Sequence, residues 1–126
     1  MIISIDLDDN VPVYRQIINQ IQNLLIEGKL GPKDPLPPIR QLATDLELNP
    51  NTVAKAYSIL ESERLIFSAG RKGTFVAADA LDNLKNDLER NSKRQIKSIM
   101  YELQSNGYDK KAFKKMIDEL INELRW

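Results

Sequence analysis

The polar side chains at the start of one predicted helix are the residues of this sequence best suited to contact a ligand. Asn49 and Pro50 predict its first turn, because asparagine caps free backbone N–H groups and proline suits the first helical position. Asn51, Thr52 and Lys55 follow on its exposed side. Asparagine can pair with adenine, threonine can meet a thymine methyl or a phosphate, and lysine can reach phosphate or guanine. The four polar residues are therefore candidate DNA contacts, and ordinary solvation of a polar helix face is the alternative.

One arginine earlier in the chain extends this candidate site. Arg40 lies in the first turn of a short predicted helix. Its guanidinium could donate two parallel hydrogen bonds to a phosphate or a guanine. The alternative for Arg40 is a surface salt bridge with Asp34 or Asp45.

The tip of a predicted β-hairpin carries the remaining candidates, Arg71, Lys72 and Gly73. Glycine lets such a tip turn with positive φ and lets its backbone approach another surface closely. Cations and backbone at this tip could lie near the minor groove that flanks a binding site. The alternative is a solvated hairpin tip without a role in binding.

The elements around these residues have the order of a winged helix-turn-helix. The side of the polar helix that should face the core carries apolar residues at helical spacing, namely Val53, Ala56, Tyr57 and Leu60. A short apolar helix over 38–46 precedes it, and strands over 65–67 and 74–77 follow it. This order places the second helix in the DNA major groove. The predicted fold class is mainly α with a small β-hairpin.

Upstream of this module, the sequence predicts an extended arm, a helix and a stiff loop. The arm covers Met1–Leu7, and the helix runs from Pro12 to about Glu27, with Gly28 as its stop. The segment 31–38 holds four prolines. Because proline removes backbone donors and breaks helices, we predict a connecting loop there.

The C-terminal part returns to helical spacing. One long helix should end at Asn106-Gly107, and Asp109 can cap a last helix. The two amphipathic helices carry more apolar surface than they can bury against each other, so we predict a homodimer. The predicted domains are 1–78, a winged helix-turn-helix DNA-binding domain, and 79–126, an α-helical dimerisation region that could also serve an effector.

The composition argues against catalysis. The 126 residues include no histidine and no cysteine, and no phosphate-binding glycine loop or carboxylate cluster is present. We therefore expect no enzyme activity, no cofactor and no metal site. Eighteen basic residues balance eighteen acidic ones, so DNA binding would need a local basic surface. No apolar run is long enough to cross a bilayer and no signal sequence is visible, so we expect a cytoplasmic protein without membrane contact.

The region from about Pro12 to Val76 resembles the GntR family of bacterial transcriptional regulators. The matching elements, in order, are Pro12-Val13-Tyr14, Leu36-Pro37, Arg40, Leu42-Ala43, Asn49 to Tyr57, Leu60-Glu61, Leu65-Ile66 and Gly73-Thr74-Phe75-Val76. The Asn-Pro-Asn-Thr-Val run and the short helical C-terminal part resemble the YtrA-like subfamily. The resemblance implies a dimeric, DNA-binding transcription factor, usually a repressor, and for YtrA-like members a link to genes of ABC-type transporters.

The sequence departs from the family pattern at several positions. Pro38 stands where a small residue, commonly serine, is usual, and Pro35 stands where a basic residue is common. Glu47 and Arg64 stand at frequent glycine positions. Arg71 stands at a wing position that is often glycine, where it could add a phosphate contact or reshape the tip.

These observations favour a repressor that binds a pseudo-palindromic operator as a homodimer and excludes polymerase. A small-molecule effector, which the sequence does not identify, could bind in a cleft between the subunits. The alternative function is a winged-helix protein–protein interaction module, which the neutral net charge allows. An apolar exposed recognition helix would favour that alternative.

Overall fold

The computed structural model describes all of residues 1–126, which form five α-helices and three short β-strands. This confirms the mainly helical fold class. The helices are α1 (Val13–Ile26), α2 (Ile39–Asp45), α3 (Pro50–Ser62), α4 (Ala80–Ser105) and α5 (Lys110–Glu123), and the strands are β1 (Pro35–Leu36), β2 (Ile66–Ser68) and β3 (Thr74–Val76). The chain divides into two compact units, Met1–Asn86 and Asp87–Trp126. The functional boundary between residues 78 and 79 remains a prediction.

The core of the first unit lies between α1 and α3. Helical spacing places Ile17, Ile18 and Ile21 of α1 on one side, and none of them has exposed surface. Val53 and Leu60 of α3 are buried equally completely. Burying a side chain of this size contributes about 1.5–3 kcal/mol. This packing therefore fixes which side of α3 remains in contact with solvent.

The proline-rich segment contributes a strand that the sequence did not reveal. β1 pairs antiparallel with β3, Pro35 opposite Phe75 and Leu36 opposite Thr74, so the strand order is β1-β3-β2. Proline is tolerated in β1 because the strand lies at the edge of the sheet. The predicted connecting loop was thus incomplete, and the predicted hairpin is part of a three-stranded sheet.

The turns after α2 and α3 contain Glu47 and Arg64, the two residues that stand where the family often has glycine. Glu47 and Arg64 have φ of 55° and 60°, in the left-handed region where glycine is favoured. In each turn the next residue donates its N–H to a carbonyl five residues back, from Leu48 to Ala43 and from Leu65 to Leu60. This is the Schellman pattern that ends many helices. The turns are therefore formed without glycine, at a cost of about 1 kcal/mol or more each.

The N-terminal arm is held on α1 by two glutamines one helical turn apart. The Gln20 amide accepts from Ser4 N and donates to Ser4 O, at 3.0 and 2.7 Å. The Gln16 amide does the same with Asp6, at 2.9 and 2.8 Å. Ile3, next to the Ser4 anchor, is buried in the core. The side chains of α1 thus replace the neighbouring strand that an extended segment normally needs.

The second unit contains the rest of α4, a turn and α5. Gly107 has φ of 93°, and Asp109 caps α5 by accepting the Ala112 N–H at 2.8 Å, as the sequence predicted. No residue of this unit is fully buried. Its large exposed apolar residues are Leu88, Ile96, Ile99, Met100, Tyr101, Tyr108, Ile117, Leu120, Ile121, Leu124 and Trp126. No helix of the chain is both long enough and apolar enough to cross a membrane.

Candidate nucleic-acid interface

The first turn of α3 is capped as the sequence predicted. The Asn49 side-chain oxygen accepts the Asn51 N–H at 2.8 Å, and the Asn49 carbonyl accepts the Thr52 N–H at 3.0 Å. Pro50 occupies the first helical position. The amide nitrogen of Asn49 has no partner within the chain. Capping therefore uses one atom of Asn49 and leaves its amide donors free for an external acceptor.

The candidate residues of α3 lie together at this capped end. Asn51 and Lys55 are exposed, and Thr52 is half-buried. None of the three side chains makes a hydrogen bond or an ion pair with the rest of the protein. The Val53 side of the helix faces the core, so the polar side chains of Asn51, Thr52 and Lys55 lie on the side of α3 that solvent reaches. The hydrogen-bonding groups of these side chains are therefore accessible from solution.

Lys55 is positioned by an aromatic ring from α1. Its Nζ lies 4.0 Å from the centre of the Tyr14 ring, and the Arg15 Cζ lies 5.6 Å from the same centre. A cation over a ring face is stabilised by about 0.5–1 kcal/mol at an exposed site. Tyr14 therefore brings two cations from different helices into one cluster. Sequence reasoning missed this cluster, because the contact between Lys55 and Tyr14 depends on how α3 packs against α1.

Arg40 is exposed on α2 and forms no ion pair. The alternative salt bridge to Asp34 is absent, since the Asp34 carboxylate accepts the Gly31 N–H at 2.7 Å. Asp45 does not pair with it either. Pro38 precedes α2 and supplies no side-chain cap, as its departure from serine implied. The Arg40 guanidinium is left with all of its donors available.

Tyr57 fixes the start of α2 against α3. The residue is 4% exposed, which confirms the prediction that it faces the core. Its hydroxyl donates to the Pro37 carbonyl at 2.7 Å. Burial raises the pKa of this hydroxyl above its ordinary value, so it remains a donor at neutral pH. The bond ties the segment that leads into Arg40 directly to the helix that carries Lys55.

The wing tip is a separate part of the candidate site. Arg71 and Lys72 are exposed in a single 3₁₀ turn over Gly70–Lys72, and Gly73 has φ of 108°. The Ala69 N–H closes the tip on the Gly73 carbonyl at 2.8 Å. No hydrogen bond or ion pair links the tip to α2 or α3. The fold thus brings Asn49, Asn51, Thr52 and Lys55 together and leaves the wing as a second surface.

The capped helix on a helix-turn-helix with a three-stranded wing defines a winged-helix DNA-binding protein. The sequence pattern of the family described as "Bacterial regulatory proteins, gntR family" matches residues 13–76, which cover α1 to β3. The chain belongs to the GntR family of transcriptional regulators. Members of this family are DNA-binding regulators, and the prediction that the protein is not an enzyme is confirmed.

Individual relatives extend the similarity beyond this domain. The HTH-type transcriptional repressor YtrA of Bacillus subtilis is 33% identical over 123 residues, which cover 98% of this chain and 95% of that protein. The structure of a transcriptional regulator from Oenococcus oeni matches with a TM-score of 0.70 and 30% identity, over 93% of this chain and 97% of that one. The structure of YtrA from Sulfolobus acidocaldarius matches with a TM-score of 0.58 and 36% identity, over 75% and 99% of the two chains. The YtrA-like resemblance is thereby confirmed.

Proposed function

We propose that this regulator binds a pseudo-palindromic operator as a homodimer and represses transcription by excluding polymerase. The observation that carries the proposal is the first turn of α3, where a capped helix end presents Asn51, Thr52 and Lys55 without a hydrogen bond or an ion pair to the rest of the chain. The exposed side of α3 is polar. That polarity favours DNA over the protein-binding alternative, which needs an apolar recognition helix.

Each residue of the α3 cluster has a role in this proposal. Asn51 and the free amide of Asn49 donate to base edges or phosphate, and Thr52 contacts a thymine methyl or a phosphate. Lys55, held over Tyr14, reaches a guanine or a phosphate. Because Tyr14 fixes the ammonium before binding, less side-chain entropy is lost when the contact forms.

The flanking contacts come from α2 and the wing. Arg40 has free guanidinium donors for a phosphate or a guanine, and the Tyr57–Pro37 bond keeps its helix in register with α3. Arg71, Lys72 and Gly73 approach the minor groove beside the major-groove site. These contacts supply the local basic surface that a protein of zero net charge needs.

The exposed apolar residues of the second unit support the homodimer. Leu88 and Ile99 are eleven residues apart on α4, which returns them to the same side of the helix. A second copy covers this stripe by placing the same residues against it, as a two-fold interface requires. The dimer sets two recognition helices about 34 Å apart, one turn of DNA.

The resemblance to YtrA-like regulators supports a proposal about the regulated genes. We propose that the operator controls an operon for an ABC-type transporter and that the protein acts in the cytoplasm, where the chromosome is. A small molecule that tilts the two DNA-binding heads would change their spacing on the operator.

Footprinting and fluorescence anisotropy on DNA upstream of the protein's own gene, over a series of salt concentrations, test the proposal. We expect two protected half-sites related by symmetry and an affinity that falls steeply with salt. If the operator lies elsewhere in the genome, the same assay on genomic fragments will find it. Equal binding to every sequence, or no protected fragment at all, would overturn it.

A further inference from the structure

A cleft between α4 and α5 in the second unit has the size of a small-molecule site. Its volume is about 700 Å³, and its lining is mainly apolar. Met100 and Tyr101 line it from α4, Phe113 and Ile117 from α5 and Tyr108 from the turn. The Tyr108 and Phe113 rings pack edge to face with their centres 6.3 Å apart. The cleft can therefore take a flat or chain-like apolar body.

Three lysines line the same cleft, Lys97, Lys110 and Lys114, and none of them forms an ion pair. Two carboxylates also line the cleft, Asp109 and Asp118. Asp109 is held as the cap of α5, where its carboxylate accepts the Ala112 N–H. Cations near the start of a helix are disfavoured by its dipole. Lys110, at the first position of α5, therefore reduces helix stability, and the three lysines give the cleft a net positive charge.

The cleft and the proposed dimer stripe adjoin on α4, because Ile96 of the cleft lies about 60° around the helix axis from Ile99 of the stripe, but the rest of the lining turns away from it. Ile99 of the stripe and Tyr101 of the cleft are two residues apart, about 200° around the helix axis. Lys97 is separated from Ile99 by the same angle in the other direction. A second copy seated on Leu88 and Ile99 therefore leaves the Lys97–Tyr101 side of α4 available to a ligand.

We propose that this cleft binds a small amphipathic anion, with an aromatic or aliphatic body on Met100 and Phe113 and a carboxylate or sulfonate among the three lysines. Charge complementarity selects this class, since an apolar cleft alone would take neutral molecules equally well. The site is defined without reference to DNA. Its role as the effector site rests on the proposed function.

Two dyes with one ring system test the site in the full-length protein. The anionic probe is 8-anilino-1-naphthalenesulfonate, and the neutral probe is N-phenyl-1-naphthylamine, which lacks the sulfonate. We expect saturable fluorescence enhancement with both. The variant Lys110→Gln with Lys114→Gln should weaken the anionic probe about five- to tenfold and change the neutral probe less than about twofold.

The matched control lies on the same helix. Lys111→Gln with Lys115→Gln removes the same charge from neighbouring positions that do not line this cleft, and it should leave both probes unchanged. Gln104→Trp, an exposed position in the lining, should fill the cleft and weaken both probes. Circular dichroism and sedimentation are used to check that each variant keeps its fold and assembly state.

Four results would overturn the site. The first is that neither dye shows saturable binding, and the second is that the two lysine double variants lose the same affinity for the anionic dye. The third is that the Lys110 and Lys114 variant loses as much affinity for the neutral dye as for the anionic dye. The fourth is that dye binding falls as the protein associates, since a second copy would then fill the cleft. Operator affinity with and without the saturating anionic probe tests the effector role separately. Dye binding without any effect on the operator complex would retain the site and reject that role, whereas failure to find an operator would leave the dye result standing.

Discussion

The two units of this protein use their apolar residues in opposite ways. In residues 1–86, the helices share a core in which Ile17 and Leu60 have no exposed surface. In residues 87–126, no side chain is fully buried, and residues such as Leu88 and Ile99 are more than half exposed. So small a unit cannot enclose a core alone. The first unit is therefore stabilised from within, whereas the exposed apolar surface of the second unit is the basis of the proposed dimer.

The largest expected effect is a core substitution in the first unit. Ile17→Ala should lower the free energy of unfolding by about 2–5 kcal/mol, because it leaves a cavity in a packed interior. Urea unfolding at several protein concentrations measures it. The loss should not depend on concentration, and a loss below about 1 kcal/mol would contradict an internally stabilised unit.

A charge on the exposed stripe should affect the second unit differently. Ile99→Glu should weaken self-association by about 2–4 kcal/mol, as expected when an interface anchor is replaced by a charge. Sedimentation velocity over a concentration series measures this change. Ser98→Glu adds the same charge about 100° around the helix and serves as the control. Equal behaviour of the two variants would place the dimer contact elsewhere.

A substitution in the α3 cluster should alter DNA binding without altering the fold. Lys55→Ala should weaken the free energy of operator binding by about 1–3 kcal/mol. If its contact is a phosphate, the salt dependence should also become shallower. Ser58→Ala, an exposed change one turn further along α3, is the control and should leave affinity unchanged. Anisotropy titration compares them, and unchanged affinity for Lys55→Ala would reject its assignment.

The smallest effect concerns the turn after α3. Arg64→Gly should raise the free energy of unfolding by about 0.5–1 kcal/mol, because glycine adopts the φ of 60° without strain. Glu61→Gly, inside the helix, should lower it by about 1 kcal/mol. Thermal unfolding of both variants checks the opposite signs. A destabilised Arg64→Gly variant would mean that the arginine side chain contributes more than its backbone conformation costs.

The sequence was sufficient to predict the helix caps, because a cap depends only on residues that are neighbours along the chain. Asn49 caps α3 and Asp109 caps α5 because the cap requires only a neighbouring backbone N–H. The strand at Pro35 was missed, since it exists only through pairing with β3. The contact of Lys55 with Tyr14 was missed for the same reason, because it depends on the packing of α3 against α1. The DNA contacts themselves remain predictions.

The stoichiometry of the operator complex tests the central claim most directly. In native mass spectrometry, we predict two chains on one full operator and one chain on an isolated half-site. The Ile99→Glu variant should still bind an isolated half-site as one chain, but it should no longer bind the full operator preferentially as two chains. A complex of one chain with the full operator, with both half-sites protected, would contradict the account, because a single recognition helix cannot read two half-sites.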